Sequence, residues 1–327
     1  MGYSSFQVAY MHVLDDVYRF GKDVTVRGLE MKEKIPYYFE IDNPRDRLLH
    51  LDSRKNIDKY VFGELMWYLS GRDDVKFIDK YSKVWATLSD DGIHSNSAYG
   101  KYIFRDMPTK GWGTGYSDEE EMTFKSQWEY VKETLTKDPY SRQAVIQIKP
   151  IQMYNTKDVT CTYFLQFFIR NNKLDMLVGM RSNDLLFGTT YDVFMFTFIQ
   201  ELMAAELGLE LGVYKHFAAN MHIYMRDREK IEAILNNGYD LNTVQFAPIP
   251  ADFRTNDLPK LLKLEEQYWS NDKQLDKELI NSLSTVGKQL LSLLTKEQYW
   301  FCILLKINKH IGDWYGKRIP KTTSKKT

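Results

Sequence analysis

Apolar positions along the chain change period several times, and each period predicts an element. From Asn56 to Ser70 they recur at helical intervals and stop at Gly71, which predicts a helix ending on a glycine, with Glu64 beside its apolar face. A second helix is predicted over 118–137, closed by Asp138-Pro139. Gln143–Ile148, Tyr163–Ile169 and Lys173–Met180 are runs of strand length, the last two joined by a two-residue turn at Asn171-Asn172. Val193–Leu207 is nearly all apolar for four turns, so it predicts a central buried helix. Val213–Tyr224 reads as one returning strand.

The pattern loosens after about Leu235. Pro248, Pro250 and Pro259 punctuate a linker-like stretch, and residues 259–316 read as two or three helices anchored by Trp269, Trp300 and Trp314. Lys317–Thr327 carries five basic and no acidic side chains, as a disordered tail would. The expected organisation is an α+β body over 1–240, a helical extension over 241–316 and a basic tail over 317–327.

Composition narrows the partners. With 44 basic and 44 acidic side chains there is no basic field to draw a polynucleotide, so any anion must be met locally. The two cysteines, Cys161 and Cys302, lie far apart and fit no metal-binding spacing, so no metal is expected and a reduced setting is the simpler reading. No apolar run approaches the ~20 residues that span a bilayer, and the first residues lack a secretory pattern. A cytoplasmic protein is expected.

Chemistry concentrates between Asp158 and Tyr224. Cys161 opens an apolar run and by itself fits a buried, inert thiol. If the two strands joined at Asn171-Asn172 pair, however, Arg181 is brought to it, and a nearby arginine favours the nucleophilic thiolate. Ser141-Arg142 and Arg181-Ser182 stand at strand ends, where guanidinium and hydroxyl together suit a phosphate, or simply water. His222 and Tyr224, two apart on a strand, share a face and can meet one sugar hydroxyl or form a core pair.

Taken together, Gly63-Glu-Leu-Met-Trp67, Ser97-Ala-Tyr-Gly100, Asp138-Pro-Tyr-Ser-Arg142, Cys161 with Gln166, Arg181-Ser-Asn-Asp184, Gly188 and His222-Ile-Tyr224 resemble the blocks of the thymidylate synthase family, in order and at similar spacings. The resemblance covers roughly residues 8–235. It implies an α+β fold with a mixed β-sheet and packed helices, a homodimer, a pyrimidine nucleoside monophosphate as substrate and 5,10-methylenetetrahydrofolate as cofactor. On it, Cys161 resembles the nucleophile that adds to C6 of the pyrimidine, and Glu64 the acid that organises proton transfers. Arg27, Arg181 and Ser182 resemble phosphate ligands, with Arg142 reaching in from the other subunit, and Gln166 belongs to the nucleotide site. Tyr99 and Trp85 resemble residues beside the reacting carbon, Asp184 the acid that holds the folate pterin, and His222 with Tyr224 the pair on the sugar 3′-hydroxyl.

The sequence departs from the family pattern at four places. Thr160-Cys161-Thr162 replaces Pro-Cys-His, Gln143 replaces a second arginine, Met180 replaces a glutamine, and Asp192 replaces an asparagine that faces the base. An amide can donate to uracil O4 and accept from its N3–H. A carboxylate sets an acceptor against O4, costing on the order of 1–3 kcal/mol, whereas the 4-amino group and N3 of cytosine fit it. The plain alternative is that Asp192 caps the helix after it. Within the family, aspartate here resembles the deoxycytidylate hydroxymethylases, which implies conversion of dCMP to 5-hydroxymethyl-dCMP. CMP, dUMP, a methyl product or a non-catalytic nucleotide-binding scaffold are the alternatives. The long extension, in place of the short apolar tail that excludes water in methylating members, favours hydroxymethylation.

Overall fold

Two β-sheets share a jacket of helices in the computed structural model, which describes residues 2–49, 51, 57–105, 124–149, 155–237, 245–270 and 274–295. The larger sheet contains β1 (Gly2–Tyr3), β4 (Tyr37–Ile41), β5 (Val145–Gln147), β6 (Thr162–Arg170), β7 (Lys173–Met180) and β9 (Glu210–Ala218), in the order β1-β4-β9-β7-β6-β5. The smaller contains β2 (Lys22–Val26), β3 (Leu29–Lys34), β8 (Asn183–Asp184) and β10 (Met221–Tyr224), in the order β2-β3-β10-β8. Pairing is mixed: β7 runs antiparallel to β6 and parallel to β9. The helices are α1 (Phe6–Phe20), α2 (Ile57–Leu69), α3 (Val75–Ile78), α4 (Val84–Leu88), α5 (Tyr99–Phe104), α6 (Gln127–Lys137), α7 (Thr189–Leu207), α8 (Arg228–Asn237), α9 (Phe253–Trp269), α10 (Lys277–Ser282) and α11 (Thr285–Thr295). The α+β expectation is met.

Strand alternation decides where the core sits. Leu165 and Phe167 of β6, Met176 and Val178 of β7, and Tyr214 and His216 of β9 lie on one face and are fully buried. The long helix α7 lies against it, tied down where Gln200 Nε2 donates to the carbonyls of Leu174 and Val213, at 2.9 and 3.1 Å. The expected central helix is therefore present, beginning four residues earlier than expected and ending at Gly208, whose φ of 67° only glycine adopts easily. On the opposite face of the sheet Phe164, Gln166, Phe168, Leu177 and Phe217 are only half-buried.

Several expected elements change on folding. The hairpin turn is at Asn171-Asn172, both with positive φ, as expected. The expected single strand over Val213–Tyr224 is two, because the chain turns at Ala219-Asn220 and passes from the large sheet to the small one. Ala219 N–H donates to Met180 O, and Asn183 N–H to Asn220 O, so both strands of the turn find new partners there. The strand expected from 143 shrinks to β5 at the sheet edge; of the helix expected over 118–137, residues 118–123 lie outside the described residues and the described part is helical over Gln127–Lys137, behind a Ser126 cap. Helix α2 is not amphipathic: Val61 to Leu69 is buried on every side.

Beyond 240 the core continues. Phe246 packs on Phe194 and Phe253 on Phe198 of α7, and Ile249 N–H donates to Glu201 at 3.3 Å. Pro259 does not sit in a linker; it lies inside α9. From α9, Glu265 accepts from Lys80 and Tyr81 at 2.9 and 2.8 Å. The Tyr81 ring in turn lies flush on α2 at Gly63, where a Cβ would stand 2.4 Å from it. The extension thus braces the helix that carries Glu64. Trp300, Trp314 and the basic stretch 317–327 lie outside the described residues.

Candidate active site

The pairing of β6 with β7 brings a thiol to an arginine. Cys161 stands immediately before β6, and its carbonyl accepts from Arg181 N–H at 2.8 Å. The Arg181 guanidinium donates to the carbonyls of Val159 and Thr160 at 2.8 and 3.0 Å and reaches Cys161 Sγ at 3.5 Å. Tyr99, from the start of α5, accepts the Cys161 N–H at 3.1 Å. Cys161 is therefore held from three sides.

Arg181 lowers the thiol pKa, as expected, but it acts against stronger opposing effects. Burial pushes the Cys161 thiol above its ordinary value, and Asp192, Asp158 and Asp184 push the same way, against the pull of Arg181. Arg181 acts in the expected direction but does not prevail.

The charge of Asp192 is felt both at this thiol and at a second buried carboxyl, Glu64. Glu64, on α2, accepts from Tyr60 O–H at 3.1 Å through Oε1, while Oε2 is buried with no partner among the described residues. Trp85 Nε1–H donates to the Tyr60 oxygen at 3.0 Å, so a half-buried indole, a phenol and a carboxyl form one chain. Desolvation, then the charge of Asp192, pushes the Glu64 carboxyl up to about 8. Asp192 sits in the first turn of α7, and its Oδ2 accepts from Asn183 Nδ2 at 2.7 Å. It does not act as the helix cap, a place taken by Gly188. Desolvation and Asp184 push its carboxyl up to about 7, although Asn183 pulls the other way. At neutral pH Asp192 is therefore partly a carboxylic acid.

The sugar and anion candidates separate into two places. His222 and Tyr224 lie on β10 with ring centroids 5.3 Å apart, and His222 Nδ1 meets Asn220 Oδ1 at 2.9 Å. Burial pushes His222 down to about 4, so it is neutral at pH 7. The charge of Arg181 is felt at His222, and that of Arg27, from the exposed turn between β2 and β3, at Tyr224. Ser182 follows Arg181 and is half-buried. Asp184 Oδ1 accepts from Leu186 N–H at 2.7 Å, which turns the chain into α7. Arg142 is exposed beside β5, and Gln166 Nε2 donates to its carbonyl at 2.9 Å. Gln166 lies five residues along the strand from Cys161, roughly 16 Å away.

Three participants escape a reading of the sequence. Tyr60 lies one helical turn before Glu64, a spacing that signals contact. Asn183, between Ser182 and Asp184, has its partner nine residues on, in another element. His216 is hidden in a strand that reads only as core. Among the described residues no cluster of side chains suits a metal ion, and no helix is long and apolar enough to cross a membrane.

The family described as thymidylate synthase matches this chain over residues 8–262. The chain belongs to the thymidylate synthase family. Similar relatives include the deoxyuridylate hydroxymethyltransferase of Bacillus phage SP01, 34% identical over 251 residues, covering 75% of this chain and 64% of that protein. A protein of the same description from Delftia phage PhiW-14 is 28% identical over 61% of this chain and 55% of its own length. The matched region thus spans less than two thirds of either relative. Among solved structures, the thermostable thymidylate synthase A from Bacillus subtilis shares the fold, with a TM-score of 0.62 and 21% identity, over 77% of this chain and 91% of that one. Within this chain, contacts and charge interactions link Cys161 to Arg181, Tyr99 and Asp192, and Asp192 to Glu64.

Proposed function

We propose that this chain is a folate-dependent C5-hydroxymethylase of a pyrimidine nucleoside monophosphate, with dCMP as its substrate. The observation that carries the reading is Asp192, a carboxyl with a near-neutral midpoint beside the Cys161–Arg181 pair. Cytosine offers it a 4-amino donor and an N3 acceptor. A carboxyl accepts the first through one oxygen and shares a proton with the second through the other.

The residues then divide the chemistry. Cys161 Sγ bonds to C6, its proton leaving to solvent or a neighbouring base, and the electron pair of the C5–C6 double bond makes C5 nucleophilic. A proton held at N3 by Asp192 draws electrons from C6 and eases that addition. Bound 5,10-methylenetetrahydrofolate supplies the one-carbon unit to C5. Glu64, protonated at neutral pH and lacking a partner at Oε2, is suited to carry protons at the ring. After loss of the C5 proton and departure of tetrahydrofolate, water adds to the exocyclic methylene and Cys161 is released. Arg181, Ser182 and Arg27 would meet the phosphate, and His222 with Tyr224 the sugar.

The residues present fit a folate. Trp85 is half-buried and Phe187 is 48% exposed, two large rings left partly open, and the Asp184 carboxylate between strand and helix suits a donor-bearing pterin edge. A homodimer in which Arg142 serves the partner's site is supported by its exposure outside the Cys161 group and by the half-buried aromatic face of β6 and β9.

A second reading, dUMP, is favoured by the likeness to two phage deoxyuridylate hydroxymethyltransferases. It is also chemically open, because a protonated Asp192 presents one donor and one acceptor, as an asparagine does. Incubation with dCMP and 5,10-methylenetetrahydrofolate decides the product. The reading expects tritium release from C5, 5-hydroxymethyl-dCMP and no rise in dihydrofolate absorbance; formation of dihydrofolate contradicts it.

A further inference from the structure

We propose that Asn183, locked by Thr189, His216 and Tyr214, is a positioning residue that fixes the Asp192 proton on Oδ1 and so sets base discrimination. This rests on the reading that Asp192 faces the base.

The polarity of the network follows from its geometry. Asn183 Nδ2 lies 2.7 Å from Asp192 Oδ2. Its Oδ1 lies 2.7 Å from Thr189 Oγ1 and 3.1 Å from His216 Nε2. Flipping the amide would aim its carbonyl at a carboxyl oxygen and its NH2 at the other two groups. As it stands, Oδ1 accepts from both, so His216 carries its proton on Nε2. His216 Nδ1 then accepts from Tyr214 O–H, at 2.8 Å. His216 is buried and neutral, its midpoint pushed down to about 3, so the chain cannot reverse by protonation near neutral pH. Every donor in the chain therefore points toward Asp192.

The space for this contact comes from Gly188. A Cβ there would stand 2.8 Å from Asn183 Nδ2 and 3.2 Å from Asp192 Oδ2. With Oδ2 held as an acceptor, any proton on Asp192 resides on Oδ1. A neutral carboxyl with a free proton suits both bases, because moving the proton between oxygens exchanges donor for acceptor. Fixing the proton removes that freedom and leaves one pattern. The titratable groups that face Asp192 are Glu64 and Tyr68 of α2, Tyr99 of α5, Cys161 before β6, Asp184 of β8 and Tyr214 of β9.

The test compares wild type with Asn183→Leu, of similar size but without a donor, and with Asn183→Ala should the first fail to fold by thermal melt. Carbon-13 NMR of aspartate-labelled protein, with the signal assigned through Asp192→Asn, follows the carboxyl across pH. Tritium release from dCMP and dUMP gives the ratio of kcat/KM. Loss of the donor is expected to move the Asp192 midpoint up by about one pH unit. It is also expected to bring the dCMP:dUMP ratio about tenfold closer to one. A folded variant with the same midpoint and ratio as wild type overturns the proposal. Should wild type prefer dUMP, the cytosine reading fails, yet the ratio still moves toward one if Asn183 sets it.

Discussion

Glu64→Gln separates the cost of this site from its use. The Glu64 side chain is 5% exposed and its Oε2 lacks a partner among the described residues. Its carboxyl is raised from 4.5 to about 8, so over that range the fold binds a proton that the unfolded chain has released. Stability from this group is complete below the unfolded value and is lost as pH rises toward the folded one. Between pH 5 and pH 8 that loss is about 3 kcal/mol, at about 1.36 kcal/mol per pH unit. Glutamine cannot titrate, so the variant avoids this loss. It introduces instead a pH-independent cost of about 1–3 kcal/mol if its amide is left unpaired. Urea unfolding of wild type and variant at pH 5, 6, 7 and 8, followed by tryptophan fluorescence, measures the difference. The stability of Glu64→Gln relative to wild type is expected to rise by about 3 kcal/mol across the series, while tritium release collapses. A difference that stays flat with pH refutes the reasoning, because it means Glu64 is ionised in the fold.

The thiol gives two further predictions. Alkylation of Cys161 by iodoacetamide, read by mass spectrometry in the free protein, is expected to be slower at pH 7 than for an unburied cysteine and still rising past pH 9, since burial lifts the thiol above its ordinary value. A plateau by pH 8 contradicts this. Arg181→Gln removes the positive charge that lowers the thiol, so its alkylation profile is expected to shift to still higher pH with a fall in turnover; an unmoved profile shows that the 3.5 Å contact carries no electrostatic weight.

Local signals were legible and long-range ones were not. Asn171-Asn172 announces its hairpin because the turn chemistry is local, and that hairpin alone is enough to bring Arg181 to Cys161. The apolar run ending at Leu207 announces a buried helix for the same reason. By contrast, nothing in Val213–Tyr224 marks the crossing between sheets, which is set by the carbonyl of Met180 and the amide of Asn183. Pro259 reads as a helix breaker, yet α9 accommodates it because packing of Phe253 and Glu265 on the body outweighs local preference. The blocks around the site named Cys161, Glu64, Tyr99 and Asp192, but not the balance of burial against charge that lifts all four toward their neutral forms. Asn183 carries no local signal of its role, which lies in an orientation that only His216 and Thr189 fix.

The central claim is that Asp192 makes this site read cytosine. The most direct measurement is the ratio of kcat/KM for tritium release from C5 of dCMP and of dUMP, in wild type and in Asp192→Asn. A wild-type ratio above one that inverts in the variant is the predicted result, with a swing on the order of 1–3 kcal/mol, about tenfold to a hundredfold. A wild type that prefers dUMP, or a ratio that Asp192→Asn leaves unchanged, contradicts it.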